Sequence, residues 1–234
     1  MKRWISLCGL LLGALGSVHA HDVITTAITF NREISRILIE RCAACHRPGG
    51  TAFSLLTYGE TRPWAVAIKE EILRRRMPPW GAVKGFGEFR NDQGLSSEEL
   101  ELLLSWIDGG VPEGNDKDLP PPPKLSPAAA PRTPPGALAI TGDYKLTRRF
   151  ALDGLMPKSL PPKASMRIVA ELPDGSVEPL VWLEGYNPAF PHPYLLRKPL
   201  DLPAGTMIRG VPPGASVTLF PVVPANKTTA ALRP

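Results

Sequence analysis

The hydrophobic pattern of this 234-residue chain changes its period once. Through about residue 110, apolar side chains recur every three or four positions. Ile34, Ile37, Leu38 and Cys42 share one such stripe, which predicts a helix from about Asn31 into the segment "CAACH". Thr61 and Pro63 make a helix start, and Trp64, Ile68, Ile72 and Leu73 line one face of the helix they open. The clearest helix is "SSEELELLLSWIDGG". Ser96 and Glu99 have capping-box spacing, Leu100, Leu103, Leu104 and Ile107 form the apolar stripe, and Gly109-Gly110 ends it.

Downstream the period drops to two. In "MRIVAELPDGSVEPLVWL", Met166, Ile168 and Ala170 alternate with Arg167, Val169 and Glu171, and Asp174-Gly175 supplies a hairpin turn. Further short strands are predicted near Tyr144–Leu152, Tyr194–Leu196, Thr206–Val211 and Ser216–Val223, with Pro and Gly between them. The expected fold class is therefore α + β in two domains: an all-α domain, then a small antiparallel β-sandwich. The stretch 112–136, "PEGNDKDLPPPPKLSPAAAPRTPPG", has no apolar period and reads as a proline-rich, partly extended linker. The helical domain then spans 21–111, the β domain 137–224, and 225–234 is a tail.

The first twenty residues belong to neither domain. "MKRWISLCGLLLGALGSVHA" has a positive start at Lys2 and Arg3, an apolar run from Trp4 to Val18 and a small-x-small ending, the pattern of a secretory signal peptide cleaved near Ala20. That run is too short and glycine-broken for a comfortable membrane span, and no later segment is apolar for long enough. The mature protein is expected in the periplasm or secreted. Its mild positive charge gives no reason to expect a nucleic-acid partner.

Signal removal also takes away Cys8 and His19. Cys42 and Cys45 remain, with His21, His46 and His192. One pair at most rules out a disulfide framework. The pair stands in "ERCAACHRPGG". C-x-x-C serves as a redox dithiol, as half of a zinc site, or, when His follows, as an attachment site for haem c. The mature domain has too few Cys and His for a four-ligand zinc site. A redox dithiol belongs at the start of a helix, where the dipole activates the thiol, and this pair falls at the end of one. The haem reading uses all three residues: Cys42 and Cys45 as thioethers, His46 as the proximal iron ligand. "RRRMPPW" then offers Met77 as the distal ligand, because Pro78-Pro79 stop a helix there and stiffen the loop; His21 or an open position are the alternatives. Pro48 is expected to prop the loop and to accept the His46 N–H, and Trp64 and Trp80 to line the haem pocket. Arg74, Arg75 and Arg76 suit haem propionates, an acidic redox partner or simply a solvated helix end.

In combination, "RCAACHRPGG", "LLTYGETRPWA", "RRRMPPW" and "LSSEELELLLSWIDGGVPEGNDKDLP" resemble a class of bacterial c-type cytochrome domains over residues 40–118. The resemblance implies one covalent haem c, held as above at Cys42, Cys45, His46 and Met77, within the cytochrome c fold. Residues 163–209, through "MRIVAELPDG", "GYNP" and "LPAGTMI", are similar to part of the C-terminal β-sandwich of copper type II, ascorbate-dependent monooxygenases of the peptidylglycine-hydroxylating group, whose bacterial relatives are often fused to such cytochromes. That family has a copper-binding His-x-His pair where this chain has "LMPKSLPPKASM", without histidine. His192 alone cannot make that site, so no copper is expected and monooxygenase activity is not. The expectation is an exported monohaem cytochrome carrying single electrons between redox partner proteins, with no catalytic residue of its own and a β domain that docks it, for example to a membrane-associated complex. The rivals are a haem enzyme or sensor with an open iron, and a subunit of a larger redox complex.

Overall fold

The computed structural model describes residues 24–125 and 131–223. The expected signal peptide, His21 and the tail 225–234 lie outside the described residues, as does part of the expected linker. Among the described residues, four α-helices precede eight strands: α1 (Ser35–Arg41), α2 (Tyr58–Thr61), α3 (Ala65–Leu73) and α4 (Ser97–Asp108), then β1 (Leu138–Thr141), β2 (Tyr144–Lys145), β3 (Phe150–Pro157), β4 (Met166–Glu171), β5 (Val177–Leu183), β6 (Tyr194–Leu202), β7 (Met207–Arg209) and β8 (Ser216–Pro221). Among the described residues, no helix is long and apolar enough to cross a membrane.

The strands build two antiparallel four-stranded sheets, in the orders β1-β8-β3-β6 and β2-β7-β4-β5. Their inner faces share one apolar core that includes Ile140, Leu152 and Leu219 from the first sheet and Ile168, Leu180 and Ile208 from the second. The β4–β5 hairpin forms as its pattern predicts: Met166, Ile168 and Ala170 point inward, and Asp174 accepts the Ser176 N–H at 2.9 Å in the turn. The run expected as one strand over 144–152 is divided. β2 and β3 lie in different sheets, and Leu146–Arg149 carries the chain between them.

The helices gather around a second, smaller core of Phe30, Ile34, Leu38, Leu103, Trp106 and their neighbours. α4 carries the predicted capping box, Ser96 Oγ accepting the Glu99 N–H at 3.1 Å while the Glu99 carboxylate accepts the Ser96 N–H at 2.7 Å. Trp106, fully buried, donates its indole N–H to the Pro112 carbonyl at 2.9 Å. The first residues of the expected linker are thus packed on the helices, and Asp116–Asp118 forms a further 3-10 turn there.

The expected all-α cytochrome c domain followed by a separate β-sandwich is corrected by this architecture. The described chain is mostly β, and its helices are short, from four to twelve residues. α1 stops at Arg41 and α3 at Leu73, and the stretches "RPGGTAFS" and "GAVKGFGEFRNDQG" further along offer glycine and no apolar period to resume a helix. The second of these stretches also crosses the expected domain boundary. Residues 81–90 form a strap along the free edges of both sheets. The Gly81 carbonyl accepts the Glu184 N–H at 2.9 Å and Val83 N–H donates to Trp182 at 2.8 Å, beside β5. The Glu88 carbonyl accepts the Arg197 N–H at 2.7 Å and Arg90 N–H donates to Leu195 at 2.9 Å, on β6. Trp80 and Phe89 belong to the β core.

Gly87 marks the tightest point of the strap. Its φ is +78°, and a Cβ there would stand 2.6 Å from the Leu180 carbonyl oxygen. Gly87→Ala adds a left-handed penalty of about 1–2 kcal/mol to that clash. The expected outcome is a lower urea midpoint with an unchanged m-value; an unchanged midpoint would mean that the strap does not press on β5.

Candidate functional site

Cys42 caps α1, its N–H bonding to the Leu38 carbonyl at 2.9 Å. The chain then turns tightly. The Cys42 carbonyl accepts from Cys45 N–H at 3.1 Å and His46 N–H at 2.9 Å, and the Cys45 carbonyl from Ala52 N–H at 3.2 Å. Gly50 permits this return, since a Cβ there would lie 2.2 Å from the Cys45 oxygen. The two thiols and the imidazole are therefore presented from one compact turn beyond a helix C-terminus.

His46 is held in one tautomer. Its Nδ1 lies 3.0 Å from the Phe53 carbonyl oxygen. A carbonyl can only accept, so Nδ1 carries a proton, which leaves Nε2 as the nitrogen that a neutral imidazole would offer to a metal. The expected partner, Pro48, is exposed and takes no part. Phe53 supplies the accepting carbonyl instead, and its ring also meets His46 edge-on at 4.9 Å. A metal-binding imidazole is ordinarily fixed in this way, through its other nitrogen.

Beside the imidazole lies apolar surface that the protein leaves uncovered. The Phe53 ring stacks on Trp64 at 4.3 Å, yet the two residues are 47% and 44% exposed. The expected face of α3 divides accordingly: Ile68 and Ile72 pack on the helical core, while Trp64 and Leu73 face solvent. The helix also begins earlier than expected, where Thr57 and Glu60 form a capping box for α2. An exposed aromatic pair beside a ligand set marks a place for a large apolar group. The donor set and this surface together suit a covalently held haem.

Of the two thiols, Cys42 is the one packed against the helices. Cys42 keeps some exposed surface, but its sulfur is crowded by the helical core, and burial, with lesser help from Cys45 and Glu99, pushes its thiol up to about 12. A thiol so far from ionised is a poor nucleophile at neutral pH.

Met77 stands apart from this turn in sequence and is half-buried. α3 ends four residues before it, not at it, with Arg75 in the left-handed region at φ 53°. The Glu71 carbonyl accepts Arg76 N–H at 2.9 Å and Met77 N–H at 3.4 Å. Arg76 also pairs with the Glu71 carboxylate, whereas Arg74 and Arg75 extend into solvent. Trp80 has a different neighbourhood from Trp64. It is 3% exposed and stacks on His192 at 4.9 Å, within the β core. His192 has both ring nitrogens near carbonyls, Phe190 at 2.8 Å and Trp80 at 3.3 Å, and burial lowers its pKa below 6.5. Two participants carry no signal in the sequence. Phe53 is a lone aromatic in "TAFSL", and His192 has no visible partner until the strap brings Trp80 to it.

No family model, no curated protein and no solved structure matches the chain.

The crowding of Cys42 gives a direct test on haem-free protein. At pH 8 iodoacetamide is expected to modify Cys45 at least tenfold faster than Cys42, read by peptide mass mapping. Equal rates would show that the Cys42 sulfur is not screened.

Proposed function

We propose that the chain is an exported c-type haem protein that carries single electrons between redox partners. The observation that carries this reading is the His46 imidazole, fixed through Nδ1 on the Phe53 carbonyl at 3.0 Å and adjoining the Cys42/Cys45 pair, with Nε2 left as the nitrogen that a neutral ring would offer to a metal. When bound, the haem supplies the one-electron iron couple. The chain's own residues do the rest. Cys42 and Cys45 hold the group covalently, so it is not lost outside the cytoplasm. His46 offers a nitrogen whose orientation does not depend on solvent. Phe53 and Trp64 would exchange exposed apolar surface for contact with the ring system and exclude water from it. Met77 would supply a thioether as the second ligand, a combination with imidazole that would raise the reduction potential and close the iron to small molecules.

Arg74 and Arg75, exposed beside this loop, suit an acidic partner surface, and such a contact would speed encounter more than it would add affinity. A partner that docks this way is expected to react more slowly as ionic strength rises.

The test is an optical spectrum of the protein, made in a host with haem-attachment machinery, beside Met77→Ala. The wild type is expected to show the weak far-red band of iron–methionine sulfur ligation, and the variant to lose it and bind carbon monoxide in the reduced state. A wild type that is high-spin or binds carbon monoxide readily has an open iron, and the electron-carrier reading then gives way to a haem enzyme or sensor.

A further inference from the structure

We infer that the β-sandwich sets the position of Met77, and that Tyr194 and His192 are positioning residues for the iron's second ligand. This rests on the proposal that Met77 ligates. Its ground is the way Trp80, three residues beyond Met77, is locked into the β core.

The loop that carries Met77 is short and fastened at both ends. On the α3 side, Arg76 is bound to Glu71 through both its N–H and its guanidinium. On the other side, Trp80 N–H closes a turn on the Pro78 carbonyl at 2.8 Å. Pro78 and Pro79 between them have fixed φ and little freedom to absorb movement. The location of Trp80 therefore controls how far the Met77 thioether reaches.

Trp80 is gripped by side chain and by backbone. Its indole lies flat on His192, at an interplanar angle of 11°, and meets the Tyr194 and Phe89 rings at 4.7 and 5.8 Å. Its carbonyl accepts the Tyr194 hydroxyl at 2.5 Å and faces His192 Nε2 at 3.3 Å. A neutral imidazole has one N–H to give, and the Phe190 carbonyl is nearer to Nδ1. Tyr194 is thus the donor that the Trp80 carbonyl depends on, while His192 contributes mainly its face. Tyr194 is fully buried on β6, more than a hundred residues further along the chain, and its hydroxyl reaches only this one backbone oxygen among the described residues. A phenylalanine would fill the same core space without it. The hydroxyl ties the β-sandwich to the Met77 loop.

The experiment compares wild type, Tyr194→Phe and His192→Ala with Val217→Ala, a buried position on β8 of the same sheet, paired there with Ile140 and Pro157. Two readouts are taken: the far-red band and carbon monoxide binding of the reduced haem protein, and tryptic cleavage after Arg74, Arg75 and Arg76 in haem-free protein. Tyr194→Phe and His192→Ala are expected to weaken the band, speed carbon monoxide binding at least tenfold and raise cleavage several-fold. Val217→Ala is expected to lower the melting temperature and leave all three at wild-type values. If the wild type has the band and the two lock variants behave like Val217→Ala, the β-sandwich does not position Met77 and this inference fails alone. If the wild type has no such band, Met77 is not a ligand and the underlying reading fails with it.

Discussion

Backbone pairing by the strap, residues 81–90, is the constraint on which the rest of the molecule depends. Each sheet has an edge strand, β5 or β6, that would otherwise show water a row of unpaired N–H and C=O groups. The strap answers both with four backbone hydrogen bonds, and the Arg90 guanidinium adds a bidentate pair with Asp153 at 2.9 and 2.7 Å. Asn91 continues the attachment, donating to the Pro193 carbonyl at 2.8 Å and accepting the Leu195 N–H at 2.9 Å. The β-sandwich is completed by a segment from the helical half of the sequence.

Both ends of that strap lead to the candidate haem site. One end runs through Trp80 to Met77. At the other, the Asp92 carbonyl accepts from Arg41 at 3.0 Å, and the same guanidinium bonds to Glu99 at 2.9 Å on α4. Arg41 immediately precedes Cys42. The proposed thioether anchors and the proposed second ligand thus stand at the two ends of a single β-bound segment. On the proposed function, the β part has a physical role although it lacks the His-x-His pair of the family it resembles: it would hold the frame in which Cys42, Cys45 and Met77 are presented.

The local features of this fold are legible in the sequence, and the long-range ones are not. Ser96 and Glu99 announce α4 because a capping box closes within three residues, and Asp174-Gly175 announces the hairpin because the turn and its two alternating arms are contiguous. The proposed haem-holding residues Cys42, Cys45 and His46 stand within five consecutive positions. The strap cannot be read in the same way. "GAVKGFGEFR" has no period, and its meaning lies in partners about a hundred positions away. The proline-rich stretch points to a boundary at 112–136, but Trp80 and Phe89, well upstream of it, pack in the β core. The all-α expectation fails for the same reason, since it assigns all of 21–111 to a helical domain although the glycine-rich segment 81–90 pairs with strands. Even the Thr57–Glu60 capping box, present in the sequence, is masked there by the stronger start signal of Thr61 and Pro63.

The central claim is that the "CAACH" turn holds haem covalently, and mass is the most direct way to ask. The exported protein would be denatured, extracted with acid to remove any loosely bound cofactor, weighed intact and then mapped by its tryptic peptides. The account predicts one haem per chain that survives extraction and travels with the peptide containing Cys42 and Cys45. A chain with the mass of the polypeptide alone, from a host that attaches haem to other proteins, would contradict it.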